Sequence, residues 1–364
     1  MSNFEKLILY TPENYKDLKL VRSTLTYPFW GVPEKENYAF NNVILKKYIF
    51  SKKYYTISSD QEKADYIFLP YQFWSVENKN PKIINEFISI SRRIKKPLLI
   101  DAIGDRMDKI KIPNSVILRY AQYRKHLQEN DVIVPLYTED LSEISFPGSI
   151  LPLNKENIPS VGFVGWTNLP ILKYIKTYLK ETPVFLLSIL LNRYQIYRKG
   201  IFLRSKVIKK LKLSKKIRNN FIERSFYSGN KKTLKISSEI ARKEFIKNIV
   251  DSQYSLCVKG DANQSARFFE VLSLGRIPLF VDTECVLPLE NKINYKDFCL
   301  FVDYKDLNNI EEIISNFHKG ISNEHFIEMQ KNARYAYQKY LRMDSYTEHL
   351  IEILKNRVKN DKNK

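Results

Sequence analysis

The 364-residue sequence has few cysteines, no long apolar run and a shortage of acidic residues. Cys257, Cys285 and Cys299 contain no C-x-x-C pair, which excludes a disulfide framework and a zinc site of the usual spacing and predicts a reducing compartment. The longest apolar run, residues 184–191, is far below the roughly 20 residues that cross a bilayer. Residues 1–15 lack a cationic stretch leading into an apolar one, so we expect no signal peptide.

The shortage of acidic residues leaves a strongly basic chain. Sixty lysines and arginines face forty acidic residues, for a formal charge of +20. Residues 198–247 hold 17 basic and 3 acidic residues, so +14 of that charge lies in one segment. This segment is either a solvated insertion or a surface for an anion, such as a phosphorylated ligand or anionic lipid headgroups. Nucleic acid is disfavoured because no helix-turn-helix, zinc-finger or ribonucleoprotein motif is present.

The hydrophobic pattern predicts two α/β units. Hydrophobic residues make up 44% of the chain, enough for real cores, and the length suits two domains. Short, non-alternating apolar runs are typical of parallel strands buried on both faces. They lie at 7–10, 66–69, 98–101, 116–119 and 132–135, and again at 161–165, 233–236, 254–258, 277–281 and 300–302.

Helices are predicted from apolar residues at helical spacing. They fit 81–95, 239–250, 265–274, 310–317 and a long final helix at 323–358. A segment rich in Pro, Gly, Ser and Asn at 146–159 suits a linker between the two units. We therefore expect an N-terminal Rossmann-like domain at 1–155, a C-terminal one at 156–335 and a terminal helix with a basic tail at 336–364.

Residues 254–282 carry the strongest sign of chemistry. A buried strand runs into Lys259 and Gly260, a short polar loop follows, and a helix begins near Ser265. A glycine turn, a helix N-terminus and the charges of Lys259 and Arg267 together predict a phosphate-binding site. Glu270 lies on the helical face of Arg267, where its carboxylate could accept hydrogen bonds from sugar hydroxyls. The alternative is a simple surface pair between Glu270 and Arg267.

These motifs resemble those of the exostosin-type glycosyltransferases of family 47. The matching residues of the second unit are Ser252, Tyr254, Leu256, Gly260, Ser265, Arg267, Glu270, Gly275, Ile277, Pro278, Leu287 and Pro288. Residues 294–303 and 329–332 look like later family motifs, and residues 64–71 and 131–135 look like motifs of the first domain. Val258, Arg276 and Tyr295 depart from the pattern, where the family has Pro, often Cys, and Trp.

The resemblance implies a GT-B fold, in which two Rossmann-like domains face each other across a cleft and a C-terminal helix crosses back to the first domain. It also implies an inverting transfer of sugar from a nucleoside diphosphate donor, most simply a UDP-sugar. Glu270 would hold the donor ribose, and Lys259, Gly260, Ser265 and Arg267 would face the diphosphate. Arg204, Lys209 and Arg242 are further donor-binding candidates.

A metal-free mechanism is predicted independently of the resemblance. No two aspartates lie two positions apart, so the D-x-D pair that binds metal in the other large transferase fold is absent. The leaving diphosphate must then be stabilised by cations and a helix N-terminus, and no cofactor or metal is expected.

The acceptor side needs a general base, because inversion in one displacement removes a proton from the acceptor hydroxyl. Asp101 and Asp105, after a predicted strand, are the best placed by sequence. Asp101 could instead end the strand and cap the next turn. Trp74 is a candidate stacking platform for an acceptor sugar, although tryptophans more often lie in the core.

We therefore expect a transferase that extends a capsular or surface polysaccharide, using a glycan or lipid-linked glycan acceptor. The sequence shows no membrane anchor or stem, which indicates a cytoplasmic enzyme, peripheral at most, at the inner membrane face. The alternatives are a fucosyltransferase-like enzyme using a GDP-sugar, a nonenzymatic binder of anionic polymers through residues 198–247, and an inactive partner subunit.

Overall fold

The computed structural model describes residues 5–33, 47–146, 150–167, 169, 171–227 and 232–362. Two all-parallel sheets with helices confirm the predicted α/β class and the pair of Rossmann-like domains of a GT-B fold. The strands of the first sheet precede residue 155 and those of the second follow it. None of the described helices is both long enough and apolar enough to span a bilayer.

The first sheet has the strand order β2-β1-β3-β4-β5-β6. Its strands are β1 (Leu7–Tyr10), β2 (Tyr55–Ser58), β3 (Tyr66–Phe68), β4 (Leu98–Asp101), β5 (Ser115–Arg119) and β6 (Asp131–Ile133). The helices of this half are α1 (Tyr27–Trp30), α2 (Phe73–Lys79), α3 (Lys82–Ile94) and α4 (Leu141–Ser145). Every residue of β3, β4, β5 and β6 is buried, which explains their unbroken apolar composition.

The second sheet has the strand order β11-β10-β9-β7-β8. Its strands are β7 (Ser160–Trp166), β8 (Arg218–Arg224), β9 (Tyr254–Cys257), β10 (Ile277–Asp282) and β11 (Leu300–Asp303). The helices that follow α4 are α5 (Ile171–Leu190), α6 (Gly200–Lys212), α7 (Ser238–Val250), α8 (Ala266–Ser273), α9 (Ile310–Gly320), α10 (Asn323–Ala336) and α11 (Met343–Lys362). All three cysteines are buried and unpaired.

Both sheets have the same topology, and it determines where ligands can bind. Within each sheet the chain order is 2-1-3-4-5, extended by a sixth strand in the first. In such sheets the chain reverses direction between the first and third strands, and ligands bind at the carboxyl ends of the strands there. For the second sheet this switch point lies between β7 and β9.

Two edge strands differ from the sequence prediction. No strand forms at 233–236, because these residues lead directly into the Ser237 cap of α7, where the Ser237 hydroxyl accepts a hydrogen bond from the Ile240 N–H. The edge of the second sheet is instead β8, whose polar, half-exposed sequence hid it from a search for buried strands. β2 was missed for the same reason, since three of its four residues are only partly buried. Pro147 and Gly148 of the predicted linker lie outside the described residues.

The long helix predicted at 323–358 is broken. After α10, residues Tyr337–Leu341 form a π-helical turn and Arg342 is extended, with ψ 135°. Asp140 of the first domain accepts a hydrogen bond from Arg334 at 2.6 Å and another from Arg342 at 3.2 Å, which pins the break.

The break turns α11 back across the first domain, as predicted. The Tyr346 hydroxyl donates to the Ile133 carbonyl at 3.1 Å, and the Tyr66 hydroxyl donates to the Leu354 carbonyl at 2.9 Å. Leu350 and Leu354 are fully buried in a core cluster that contains residues of both domains. The terminal helix therefore joins the two domains through a common core.

Candidate functional site

Arg204 lies at the switch point of the second sheet. It extends from α6, and its Nη1 donates to the Trp166 carbonyl at 2.7 Å, at the end of β7. Its Nη2 donates to the Lys259 carbonyl at 3.3 Å, just beyond β9. The guanidinium thus connects the carboxyl ends of the two strands between which the chain order reverses.

Gly200 sets the distance between α6 and the turn at Lys259 and Gly260. Its N–H donates to the Gly260 carbonyl at 3.3 Å. A Cβ at Gly200 would lie 1.9 Å from the Lys259 carbonyl oxygen and 2.6 Å from that of Gly260. No side chain fits there, so glycine is required for the helix to approach closely enough to present Arg204.

Arg267 joins the same cluster from the first turn of α8. Its Nη2 donates to the Val164 carbonyl, and its guanidinium lies 4.2 Å from the centroid of the Phe163 ring. Arg204 lies 5.7 Å from the same ring, so Phe163 organises both arginines. A Cβ at Gly165 would lie 3.3 Å from Arg267 Nη2, which leaves little room for any other residue.

Lys259 is buried at the interface of the two domains, with 4% of its surface exposed. Its ammonium group donates to the hydroxyl of Tyr123, a first-domain residue, at 2.9 Å. Burial lowers the pKa of Lys259 to about 8, against the partly opposing effect of carboxylates that include Glu181. Glu181 lies on α5, where its Oε1 accepts a hydrogen bond from the Lys199 N–H at 3.0 Å.

The site contains a cation cluster formed by Arg204, Arg267 and Lys259. The contacts of these three side chains do not neutralise their positive charge. Within the described part of the chain, none of the three makes a salt bridge, and their hydrogen bonds go to carbonyls and to one phenol. Burial lowers the pKa of Arg204 to about 10, and burial with repulsion from Arg204 does the same to Arg267.

Two nitrogens of the cluster, Arg204 Nε and Arg267 Nη1, are buried and make no hydrogen bond to any described residue. Burying a charge is costly unless an opposite charge and hydrogen-bond acceptors accompany it. The cluster therefore fits a bound anion with several acceptor oxygens, such as a diphosphate.

The turn and helix of the predicted phosphate site form beside this cluster. The Gly260 N–H donates to the Gln264 carbonyl at 3.0 Å and closes the turn. Ser265 precedes α8 but makes no capping hydrogen bond with its side chain. The start of α8 therefore lies beside the cation cluster, and the Ser265 hydroxyl does not cap the backbone N–H groups of its first turn.

Glu270 lies in an ion-pair chain between the domains. Its Oε1 is 3.1 Å from Arg242 Nη1, and Arg242 Nη2 pairs with Glu139 of the first domain. These side chains are largely buried, with 17%, 18% and 7% of Glu270, Arg242 and Glu139 exposed. Glu270 thus faces the other domain, and its partner is Arg242 rather than the Arg267 of the alternative interpretation. Arg242 therefore contacts the Oε1 oxygen of the Glu270 carboxylate.

Lys209 does not join the cluster. It lies on the exposed side of α6, five residues beyond Arg204, which is not the same helical face. Arg242 does approach the site, but it contacts Glu270 and not the switch point.

Asp101 occupies a structural position. It is fully buried at the end of β4, and its carboxylate accepts hydrogen bonds from the Ser23 hydroxyl at 2.6 Å, the Thr24 N–H at 3.2 Å and the Ile103 N–H at 2.9 Å. Burial raises the pKa of Asp101, and the three hydrogen bonds oppose this. A carboxylate so enclosed has no contact with an acceptor in this conformation, and it ends the strand as the alternative interpretation had it.

Asp105 is better placed for work on an acceptor. It lies in an exposed loop after β4, where partial loss of hydration, and then the nearby Asp261 carboxylate, raises the pKa of Asp105. Asp261 lies in the loop after β9, so a carboxylate of the second domain acts electrostatically on Asp105 of the first. Among the described residues, no group of three or more His, Cys, Asp or Glu is arranged to hold a metal ion.

Trp74 is not an open stacking platform in this structure. Only 9% of it is exposed, and its indole N–H donates to the Ala102 carbonyl at 3.3 Å. The guanidinium of Arg106 covers the ring at 3.9 Å from the centroid, so an acceptor sugar would have to displace it. Its place is in the core of the first domain.

Sequence reasoning missed the first-domain residues of the site. Tyr123 and Glu139 contact donor-side cations across 136 and 103 residues of chain, and no motif marks either of them. Gly200 was the one missed residue with a local signal, since a glycine at the start of an amphipathic helix often marks a close backbone approach.

Residues 195–317 match the model of the Exostosin GT47 domain. No curated protein matches. Among solved structures, TarM aligns at 8% identity over 75% of this chain with a TM-score of 0.35, and the match spans about half (53%) of TarM. A glycosyltransferase from Rickettsia africae ESF-5 aligns at 11% identity over 98% of this chain and 100% of its own, with a TM-score of 0.34.

The family match covers every predicted donor-side residue, from Arg204 to Glu270, and lies wholly beyond the first domain. The motifs noted at 64–71, 131–135 and 329–332 fall outside it. Residues 195–317 are thus similar to the exostosin GT47 domain, in agreement with the resemblance that the sequence motifs indicated.

Proposed function

We propose that this protein is an inverting glycosyltransferase that moves a sugar from a UDP-sugar to a glycan or lipid-linked glycan in capsular or surface polysaccharide synthesis. One observation carries the proposal. At the switch point of the family-matched domain, the buried Lys259 and the partly buried Arg204 and Arg267 make no salt bridge with a described carboxylate. A diphosphate supplies the missing negative charge, and the same cations stabilise it as it leaves, without a metal.

The donor would lie along the carboxyl ends of β7 and β9. Arg204, Arg267 and Lys259 hold the diphosphate oxygens, and the start of α8 at Ser265 adds the positive end of the helix dipole. Glu270 accepts hydrogen bonds from the ribose hydroxyls, with Arg242 holding its carboxylate in position through their ion pair. The sugar then points into the interdomain cleft towards Asp105.

Transfer follows a single displacement. The acceptor hydroxyl oxygen forms a bond to the anomeric carbon while the bond from that carbon to the diphosphate oxygen breaks, and the configuration inverts. Asp105 takes the acceptor proton as general base, for which a raised pKa is an advantage. The electron pair of the broken bond goes to the diphosphate, next to the three cations.

The setting we propose is the cytoplasmic face of a membrane. Lipid-linked acceptors are available there, and the basic segment 198–247 would be attracted to the anionic surface. The enzyme would act there as a peripheral protein.

The proposal is tested by thermal-shift and turnover measurements against UDP-, GDP- and CMP-sugars, with and without chelator. UDP-sugars should raise the melting temperature and be turned over equally well in chelator. Glu270→Ala should abolish turnover, and Arg267→Met should lower kcat/KM by about 10²- to 10³-fold, because each removes a contact to the donor. Both variants should give wild-type circular dichroism.

Glu239→Ala and Lys215→Met are the matched controls, since both residues are exposed and lie outside the cleft. They should behave as wild type. Stabilisation by GDP-fucose alone would instead assign a GDP-sugar donor and a fucosyltransferase-like activity. If no sugar nucleotide changed the melting temperature, the hypothesis of a nonenzymatic binder of anionic polymers would be favoured. Wild-type turnover by Glu270→Ala would refute its assignment to the ribose.

A further inference from the structure

Helix α5 exposes a continuous apolar stripe. Leu172, Ile175, Leu179, Leu186 and Leu190 are 83%, 50%, 67%, 54% and 77% exposed. Their spacing of three, four, seven and four residues places them on one face of the helix. Single exposed leucines are ordinary on a protein surface, but an aligned row of this length marks a contact surface.

Among the described side chains of α5, the buried ones are polar. Its buried positions include Glu181 and Ser188, which are 8% and 6% exposed and face the domain. The Ser188 hydroxyl donates a hydrogen bond to the Phe185 carbonyl at 2.7 Å, and the Glu181 carboxylate accepts one from the Lys199 N–H. A helix that folds only against its own domain in water buries its apolar face, so this orientation indicates a second, apolar environment outside the protein.

Basic residues border the stripe. Lys176 and Lys180 are exposed one position beyond Ile175 and Leu179, on the adjacent face of the helix. Over residues 171–213 the sequence has eleven lysines and arginines and one acidic residue, the buried Glu181. The surface thus combines apolar side chains with positive charge and has no exposed acid to oppose it within this segment.

We propose that α5 is an interfacial membrane-docking helix that places its apolar stripe into a bilayer surface rich in anionic headgroups. Leucine side chains would enter the acyl boundary while Lys176 and Lys180 contact the headgroups at its rim. A second copy of the chain is a poorer occupant, because a twofold contact through this face would bring the basic borders of both copies together.

The helix also relates the membrane to the cation cluster. The inner side of α5 carries Glu181, whose charge acts on Lys259. Docking through the outer side would therefore hold the cation cluster one helix away from the bilayer. The inference does not depend on the donor assignment, since lipid binding is measured without any sugar nucleotide.

Co-sedimentation with phosphatidylcholine vesicles, with and without phosphatidylglycerol, tests the proposal on the full-length protein. Wild type should bind the vesicles that contain phosphatidylglycerol and not those of phosphatidylcholine alone. Leu179→Gln/Leu186→Gln and Lys176→Gln/Lys180→Gln should each weaken partitioning by about tenfold or more. Circular dichroism and UDP binding in solution should stay as in wild type for both variants.

The control is Leu151→Gln/Lys319→Gln, which removes one exposed leucine and one exposed lysine elsewhere on the surface and should bind as wild type. Absence of wild-type binding, equal binding to uncharged vesicles, or full binding by the α5 variants would each overturn the proposal. So would a wild-type dimer in sedimentation velocity that Leu179→Gln/Leu186→Gln dissociates, which would assign the stripe to a second copy. Failure here would leave UDP binding and the proposed transfer reaction unaffected, although absence of any vesicle binding would contradict the proposed membrane setting.

Discussion

At the scale of single residues, the site is defined by what its cations lack. Protein interiors accept an arginine or lysine when a carboxylate shares its environment, as Asp131 does for Arg119 at 2.6 Å in the first domain. Arg204, Arg267 and Lys259 make no such salt bridge with a described carboxylate, and burial lowers the pKa of each. They are held in position by carbonyls and a phenol, which leaves their charge for a ligand.

Lys259 gives a pH dependence of donor binding that follows from its pKa of about 8. Below that pH the free protein carries the ammonium ion, and above it the neutral amine. A bound diphosphate favours the charged form and raises the pKa, so binding above pH 8 requires proton uptake. The affinity for UDP should therefore fall as the pH rises through 8, by up to about tenfold per pH unit.

Calorimetry with UDP from about pH 7 to pH 10 measures this slope. Lys259→Arg keeps the charge across the range and should flatten the curve, while Lys259→Met should bind weakly at every pH. A wild-type affinity that does not change across the range would remove Lys259 from the donor site.

At the scale of secondary-structure elements, the site depends on how closely α6 approaches the turn after β9. Gly200→Ala places a methyl group against two backbone oxygens, which cannot rotate away as a side chain would. The helix must move, and Arg204 moves with it. We expect a loss of about 1–3 kcal/mol in the free energy of unfolding. UDP affinity should fall by about tenfold or more, because small displacements of positioning groups are costly.

Gly320→Ala is the matched control, since its new methyl group meets no atom within 4 Å at the end of α9. Urea unfolding and UDP titration of both variants separate the two effects. Weakened binding by Gly320→Ala, or wild-type binding by Gly200→Ala, would contradict the role given to this contact.

At the scale of the whole molecule, the two domains share one core. The cluster that contains Leu9 and Leu99 of the first sheet also contains Phe268 of α8 and Leu354 of α11. Leu354→Ala should lower the free energy of unfolding by about 2–5 kcal/mol, the usual result for a buried leucine. Because α11 belongs to both domains, we expect one shared transition in which the two sheets lose protection together.

Hydrogen exchange of both sheets in urea measures this coupling. Leu213→Ala, at a position 85% exposed, should change stability by less than about 0.5 kcal/mol. If Leu354→Ala lowered the protection of the first sheet alone, the domains would be independent and the common core would not couple them.

The sequence by itself determined the parallel strands and the loop from Lys259 to Glu270. Buried strands and glycine turns depend on residues close together in the chain, and the family motifs lie in that same stretch. The polar edge strand Arg218–Arg224 and the break at Arg342 escaped prediction, because half-buried strands carry a weak pattern and the break depends on Asp140 of the other domain.

Only the tertiary structure decided which charges are neutralised. It paired Glu270 with Arg242 and Glu139, buried Asp101, covered Trp74 with Arg106 and left Lys209 exposed. It also brought Tyr123 to Lys259 and turned the apolar face of α5 outwards. The number of charges and apolar side chains can be read from the sequence. The free-energy cost of burying a charge, however, depends on its neighbours in space, and those neighbours come from distant parts of the chain.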